Sequence, residues 1–120
     1  MPVSNDFLAY VLEQLAGLEE LSARRMFSGA GLYSGELFFA IIADDVLYLR
    51  ADDASRGEFV SRGMGAFNPN ATRPERPQVS MSYYETPAAV LEDREELVRW
   101  AQRAVPGKRS AAALYFKAES

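Results

Sequence analysis

The 120-residue sequence contains no cysteine and no histidine. Without cysteine there is no disulfide framework, thiolate nucleophile or thiolate metal site. Without histidine the commonest general base and the commonest transition-metal ligand are both missing. Chemistry would have to come from carboxylates, hydroxyls, lysine and tyrosine. No apolar run approaches the roughly 18 residues that a membrane span requires. The opening Met1-Pro2-Val3-Ser4-Asn5-Asp6 lacks the basic start and apolar centre of a signal peptide, so a cytoplasmic location is expected.

Positive charge is scarce in the first half. Residues 1–55 carry three basic side chains, Arg24, Arg25 and Arg50, against nine acidic ones, and the whole chain has a net charge of -4. Such a balance repels a phosphate backbone, so direct nucleic-acid binding is not expected. Hydrophobic residues at 48% and charged residues at 25% are ordinary globular values, and the length suits one domain.

The most apolar part of the chain runs from Arg24 to Arg50. Its apolar and aromatic runs are separated by small or acidic residues, as consecutive antiparallel strands are. Leu21 to Tyr33 is predicted to be extended but bent, because Ser28-Gly29-Ala30-Gly31 tolerates positive φ. Ser34-Gly35 suits a hairpin turn. Leu37 to Ile42 has no polar residue; strict alternation puts Leu37, Phe39 and Ile41 on one face and Phe38, Ala40 and Ile42 on the other. Asp44-Asp45 turns the chain into a strand from Val46 to Arg50.

Helical signals flank this centre. Ser4 or Asn5 can cap a helix whose stripe is Phe7, Leu8, Val11, Leu12 and Leu15, with Gly17 as its stop. Asp52 or Asp53 can cap a second helix reaching about Arg62, anchored by Phe59. Val79, Met81 and Tyr83 alternate with polar or wet positions, as in a half-buried strand. Thr86-Pro87 suits a helix start. Asp93 with Glu96 suits another, with Leu97, Trp100 or Ala101, and Ala104 inward.

The expected fold is therefore α+β: two layers, with an antiparallel sheet of four or five strands and helices on one face, in the order α-β-β-β-α-β(-β)-α. Residues 1–105 form one domain, and 106–120 a tail that adds at most a helical turn. Helices of this length cover one face conveniently, so the other is expected to be shielded in a homodimer.

Arg24-Arg25-Met26-Phe27-Ser28-Gly29-Ala30-Gly31-Leu32-Tyr33, then Phe39-Ala40, Ile42-Ala43-Asp44-Asp45, Leu47-Tyr48-Leu49 and Met81-Ser82-Tyr83-Tyr84, resemble the N-terminal domain of the TfoX (Sxy) family of competence regulators. Ser28 stands where that family usually has glycine. The resemblance implies a two-layer fold similar to type III secretion chaperones, which commonly dimerise. It also implies a non-enzymatic role in transcriptional control through protein contacts, with a partner of the cyclic-AMP receptor type. Full-length members carry a further helical C-terminal domain that these residues do not include.

Candidate interaction residues are Arg24, Arg25, Phe27, Tyr33, Phe38 and Tyr48. The two arginines fall on opposite faces of a strand and could anchor an acidic partner, or form salt bridges with Glu19, Glu20 or Glu36. Phe27, Tyr33, Tyr48, Tyr83 and Tyr84 could form an aromatic patch that stacks bases, but with no lysine or arginine expected among them, core and dimer packing is the better account. Gly29-Ala30-Gly31 opens like a dinucleotide motif, but its sixth position is Ser34 and strands follow. Asp44, Asp45, Asp52 and Asp53 bracket a strand about 16 Å long, which suits turn and cap duty better than a cation site. No cofactor is expected. The alternative is a small ligand-binding protein or hydrolase with Glu and Tyr groups in a pocket between sheet and helices.

Overall fold

The computed structural model describes residues 4–26, 29–71, 73–78 and 82–106. Five strands form one antiparallel meander: β1 (Leu21–Met26), β2 (Gly29–Ser34), β3 (Leu37–Ala43), β4 (Val46–Arg50) and β5 (Tyr83–Glu85). The helices are α1 (Asn5–Gln14), α2 (Asp53–Ser61), α3 (Ala88–Leu91) and α4 (Arg94–Ala104). The two-layer α+β class is as expected, but four strands precede α2 where three were expected. Leu21 to Tyr33 is not one bent strand: β1 pairs with β2 from Leu21↔Ser34 to Met26↔Gly29, as a hairpin. The glycines allow this through proximity, not through positive φ. A Cβ on Gly29 would lie 2.2 Å from the Ile42 carbonyl oxygen, so only glycine lets β2 pass β3 there.

Local chemistry sets the ends of the elements. The Ser4 hydroxyl accepts from the Phe7 amide at 3.1 Å and starts α1. Asp52 accepts from the Ser55 amide at 2.8 Å while its own amide donates to the Ser55 hydroxyl at 3.1 Å, a reciprocal cap for α2. The Asp93 carboxylate accepts from the Glu96 amide and starts α4. Asp44 and Asp45 have φ of 53° and 57°, the left-handed pair that a two-residue hairpin requires. Thr86 does not cap α3. It is buried, and its hydroxyl donates to the Leu47 carbonyl at 3.0 Å, closing the chain onto β4 after β5. α1 ends at Gln14, ahead of Gly17, which lies against Val98 of α4.

The core lies between the sheet and α4, with α1 and α2 flanking. Ala30, Leu32, Phe39, Ala40, Ile42, Leu47 and Leu49 face Val11, Leu15, Phe59, Leu97, Trp100, Ala101 and Ala104. Phe59 stacks on Tyr84 at 5.6 Å and meets Trp100 edge-on at 5.0 Å. Gln14 clamps the helix layer: its amide donates to the Leu91 carbonyl, and its oxygen accepts from Arg94 Nε, both at 3.0 Å.

The expected alternation in β3 fails at one point. Leu32 pairs with Ala40 but Tyr33 pairs with Phe38, leaving Phe39 as an extra residue opposite no β2 partner. This β-bulge turns both Phe39 and Ala40 into the core and leaves Phe38 and Ile41 on the opposite face. Leu37 and Ile41 therefore do not share Phe39's environment. The Val79 and Met81 alternation and the proposed turn in 108–120 lie outside the described residues.

Phe39→Ala should cost about 3–5 kcal/mol in urea unfolding, because Phe39 is fully buried. Leu37→Ala, at a side chain 45% exposed, should cost under about 1 kcal/mol. Equal costs would contradict the bulge.

Candidate functional site

The face of the sheet turned away from the helices is built by period two plus the bulge. One row crosses all five strands in register: Arg24, Gly31, Ile41, Tyr48 and Glu85. Beside it lies a second row of Ser22, Tyr33, Phe38, Arg50 and Tyr83, displaced at β3 by the extra residue. Every aromatic in these rows is half-buried, as are Ile41 and Arg50, while Arg24 and Glu85 at the two edges are exposed. None of the described helices packs on this face.

The rings fall into two contacting groups. Tyr33 and Phe38 are 5.2 Å apart, and Phe38 and Tyr83 5.7 Å, tilted geometries that aromatic pairs prefer. Tyr48 meets Phe67 at 5.0 Å. Phe67 is held there because its amide donates to the Tyr83 carbonyl at 2.7 Å and Ala66 bridges Tyr84. The Arg24 guanidinium lies 5.1 Å from the Tyr33 ring centre, a cation–π contact. Arg50 stands opposite Tyr83. Arginines are thus interleaved with the aromatic rows, contrary to expectation. Arg24 came from the sequence as a candidate, and Arg50 was within reach of it, since Val46, Tyr48 and Arg50 share a face by alternation.

Charge on this face is polarised along the first row. Arg24 sits at the β1 edge, and Glu85 at the β5 edge beside Tyr48. Burial raises the Tyr48 phenol pKa, and the carboxylates of Glu85 and Asp44 raise it further. Burial also raises Tyr83, with the nearby Arg50 charge opposing the shift and Tyr33 adding to it.

Of the candidate residues, Arg24, Tyr33, Phe38 and Tyr48 come together here. Arg25 does not: it projects to the helix side at the β1 edge and donates to Asn5 Oδ1 on α1. Among the described residues neither arginine pairs with Glu20 or Glu36. Tyr84 belongs to the core, and Phe27 lies outside the described residues. Ile41, Glu85 and Phe67 were missed. Ile41 is placed only by the bulge, and Phe67 by a loop whose path no periodicity encodes.

Elsewhere, Asp44 and Asp45 form a turn and Asp52 and Asp53 start α2, at opposite ends of β4. Among the described residues no three carboxylates are grouped to hold a metal ion. A cleft of about 500 Å³ between α2 and α4 is lined by Glu58, Arg62, Glu96, Arg99, Trp100 and Arg103. Arg103 forks onto Glu58 at 2.8 and 2.6 Å, and the guanidiniums of Arg62 and Arg103 both lie over Trp100. A second cleft of about 460 Å³ separates α1 from α4. Neither contains a tyrosine, and neither lies between sheet and helices.

Comparison with known families matches residues 13–107 to the TfoX N-terminal domain. The chain belongs to that family. The match spans α1 from Glu13 through the end of α4, so it takes in the whole meander and the uncovered face of this TfoX N-terminal domain. No curated protein matches the chain.

Alkaline titration followed at 295 nm should show two tyrosines, Tyr48 and Tyr83, ionising above the ordinary phenol value of about 10. Because their folded pKa values are raised, their contribution to stability is complete below about pH 10 and is lost as pH rises through the folded values. Tyr48→Phe with Tyr83→Phe should flatten that alkaline loss. An unchanged profile would contradict the assignment.

Proposed function

We propose that this TfoX N-terminal domain is a non-enzymatic protein-docking module of the cytoplasm, acting in transcriptional control of the competence type, with the uncovered sheet face as its docking surface. The observation that carries the reading is the half-buried aromatic face of Tyr33, Phe38, Ile41, Tyr48 and Tyr83, which has no covering helix among the described residues. Half-buried aromatics with arginine beside them are the side chains that dominate protein interfaces. The family resemblance supplies the context of transcription and a partner of the cyclic-AMP receptor type. Stacking of single-stranded nucleic acid is less well served, since Glu85 and Asp44 charge the same face and the net charge is -4.

Phe38→Asp combined with Ile41→Asp tests the reading. Both side chains lie on the open face, so circular dichroism should report a folded domain. In the native host the variant should lose the transcriptional output of competence-type targets and fail to co-purify with the cyclic-AMP receptor-type factor. Val60→Asp, on α2 and 57% exposed, should behave as wild type. A folded double variant with full transcriptional output would overturn the proposal.

A further inference from the structure

We infer that the occupant of the uncovered face is a second copy of this chain, stacked sheet on sheet about a two-fold axis running along β3. The inference rests on the docking reading above: a second copy fills this face, and the cyclic-AMP receptor-type factor is met by the dimer so formed. It is carried by the order of the side chains across the sheet.

A two-fold axis parallel to β3 and midway between two facing sheets reverses each row onto itself. Strands of the two copies then run nearly parallel, as in aligned sheet packing at about 30°. In the first row, Arg24, Gly31, Ile41, Tyr48 and Glu85 meet the same sequence reversed. Arg24 falls opposite Glu85 of the partner subunit, Tyr48 opposite Gly31, which carries no side chain, and Ile41 opposite itself. In the second row, Phe38 falls opposite itself and Arg50 opposite the partner's Tyr33, a cation–π pairing. Each arginine meets a negative or aromatic group, and the apolar centres coincide.

Such a pattern is what an isologous interface requires, since one patch must complement itself. A foreign partner would impose no matching of the β1 edge to the β5 edge. The end charges are available for the role: among the described residues neither Arg24 nor Glu85 forms an ion pair within its own chain. The opposite arrangement, edge-to-edge pairing of β1 with β1, would bring Arg24 and Arg25 of two copies together, and arginines on an edge strand disfavour it.

Sedimentation equilibrium of the purified chain should show a reversible dimer of the 13.3 kDa protomer. Arg24→Glu and Glu85→Arg should each weaken association by about tenfold, and combining them should restore it to within about threefold of wild type, as expected for directly coupled charges. Both positions are exposed, so folding should be unaffected. Ile41→Cys supplies a second readout, because the chain has no other cysteine: facing sheets lie about 10 Å apart, beyond the roughly 7 Å limit of a direct disulfide, so a short bis-maleimide should link two copies, each thiol adding its sulfur and proton across one maleimide double bond. A monomer at every concentration, a dimer indifferent to both charge reversals, or Ile41→Cys remaining unlinked would each overturn the inference. The docking reading is separable. A monomeric chain whose Phe38→Asp, Ile41→Asp variant loses transcriptional output would sink the dimer alone, whereas a two-fold dimer whose variant keeps full output would sink the docking role alone.

Discussion

The single extra residue in β3 governs the rest of the molecule. A strand with no polar side chains puts apolar residues on both faces, and strict alternation would have divided Phe38, Phe39, Ala40, Ile41 and Ile42 differently. By leaving Phe39 without a β2 partner, the bulge sends three of these five toward the helices and two away from them. Phe39 then sits fully buried against the helix layer. Phe38 is released to join Tyr33 and Tyr83 in a row of rings. The core and the open face are thus set by the same backbone irregularity.

Much of the helix layer was legible because its signals are local. Ser4, Asp52 and Asp93 cap helices as their side-chain chemistry suggests, and Leu97, Trp100, Ala101 and Ala104 line α4 at helical spacing. The two-residue Asp44-Asp45 turn was equally legible. What escaped the sequence was register. Nothing in Leu37–Ala43 marks which residue is unpaired, because bulge placement depends on the partner strand. The β1–β2 hairpin was hidden by glycines that suggest a bend but in fact permit close approach, as at Gly29. Thr86 looked like a cap and instead donates across to β4, a contact spanning 39 residues that no local pattern predicts.

The same distinction runs through the candidate site. Arg24, Tyr33 and Tyr48 could be named from residue type and alternation, and the same alternation that sets the two arginines on opposite faces sends Arg25 to the helix side, where it donates to Asn5. Their collective chemistry, a row positive at one edge and negative at the other, exists only once Arg24 and Glu85 are placed in register across five strands. On the helix side, by contrast, several arginines pair with carboxylates: Arg103 on Glu58, Arg94 on Glu13, Arg99 on Glu96. Among the described residues, the face turned away from the helices is where this TfoX N-terminal domain has aromatic surface, with Arg24 and Glu85 outside any ion pair.

The most direct measurement is paramagnetic solvent relaxation of side-chain NMR signals in the chain at low concentration. With the bulge in place, Phe38, Ile41 and Tyr48 should relax strongly beside a soluble probe, while Phe39, Leu47 and Leu49, all at most 2% exposed, should be protected. Protection of Ile41 together with Phe39, and relaxation of Phe38 together with Ile42, would restore strict alternation and contradict both the core and the surface described for this domain.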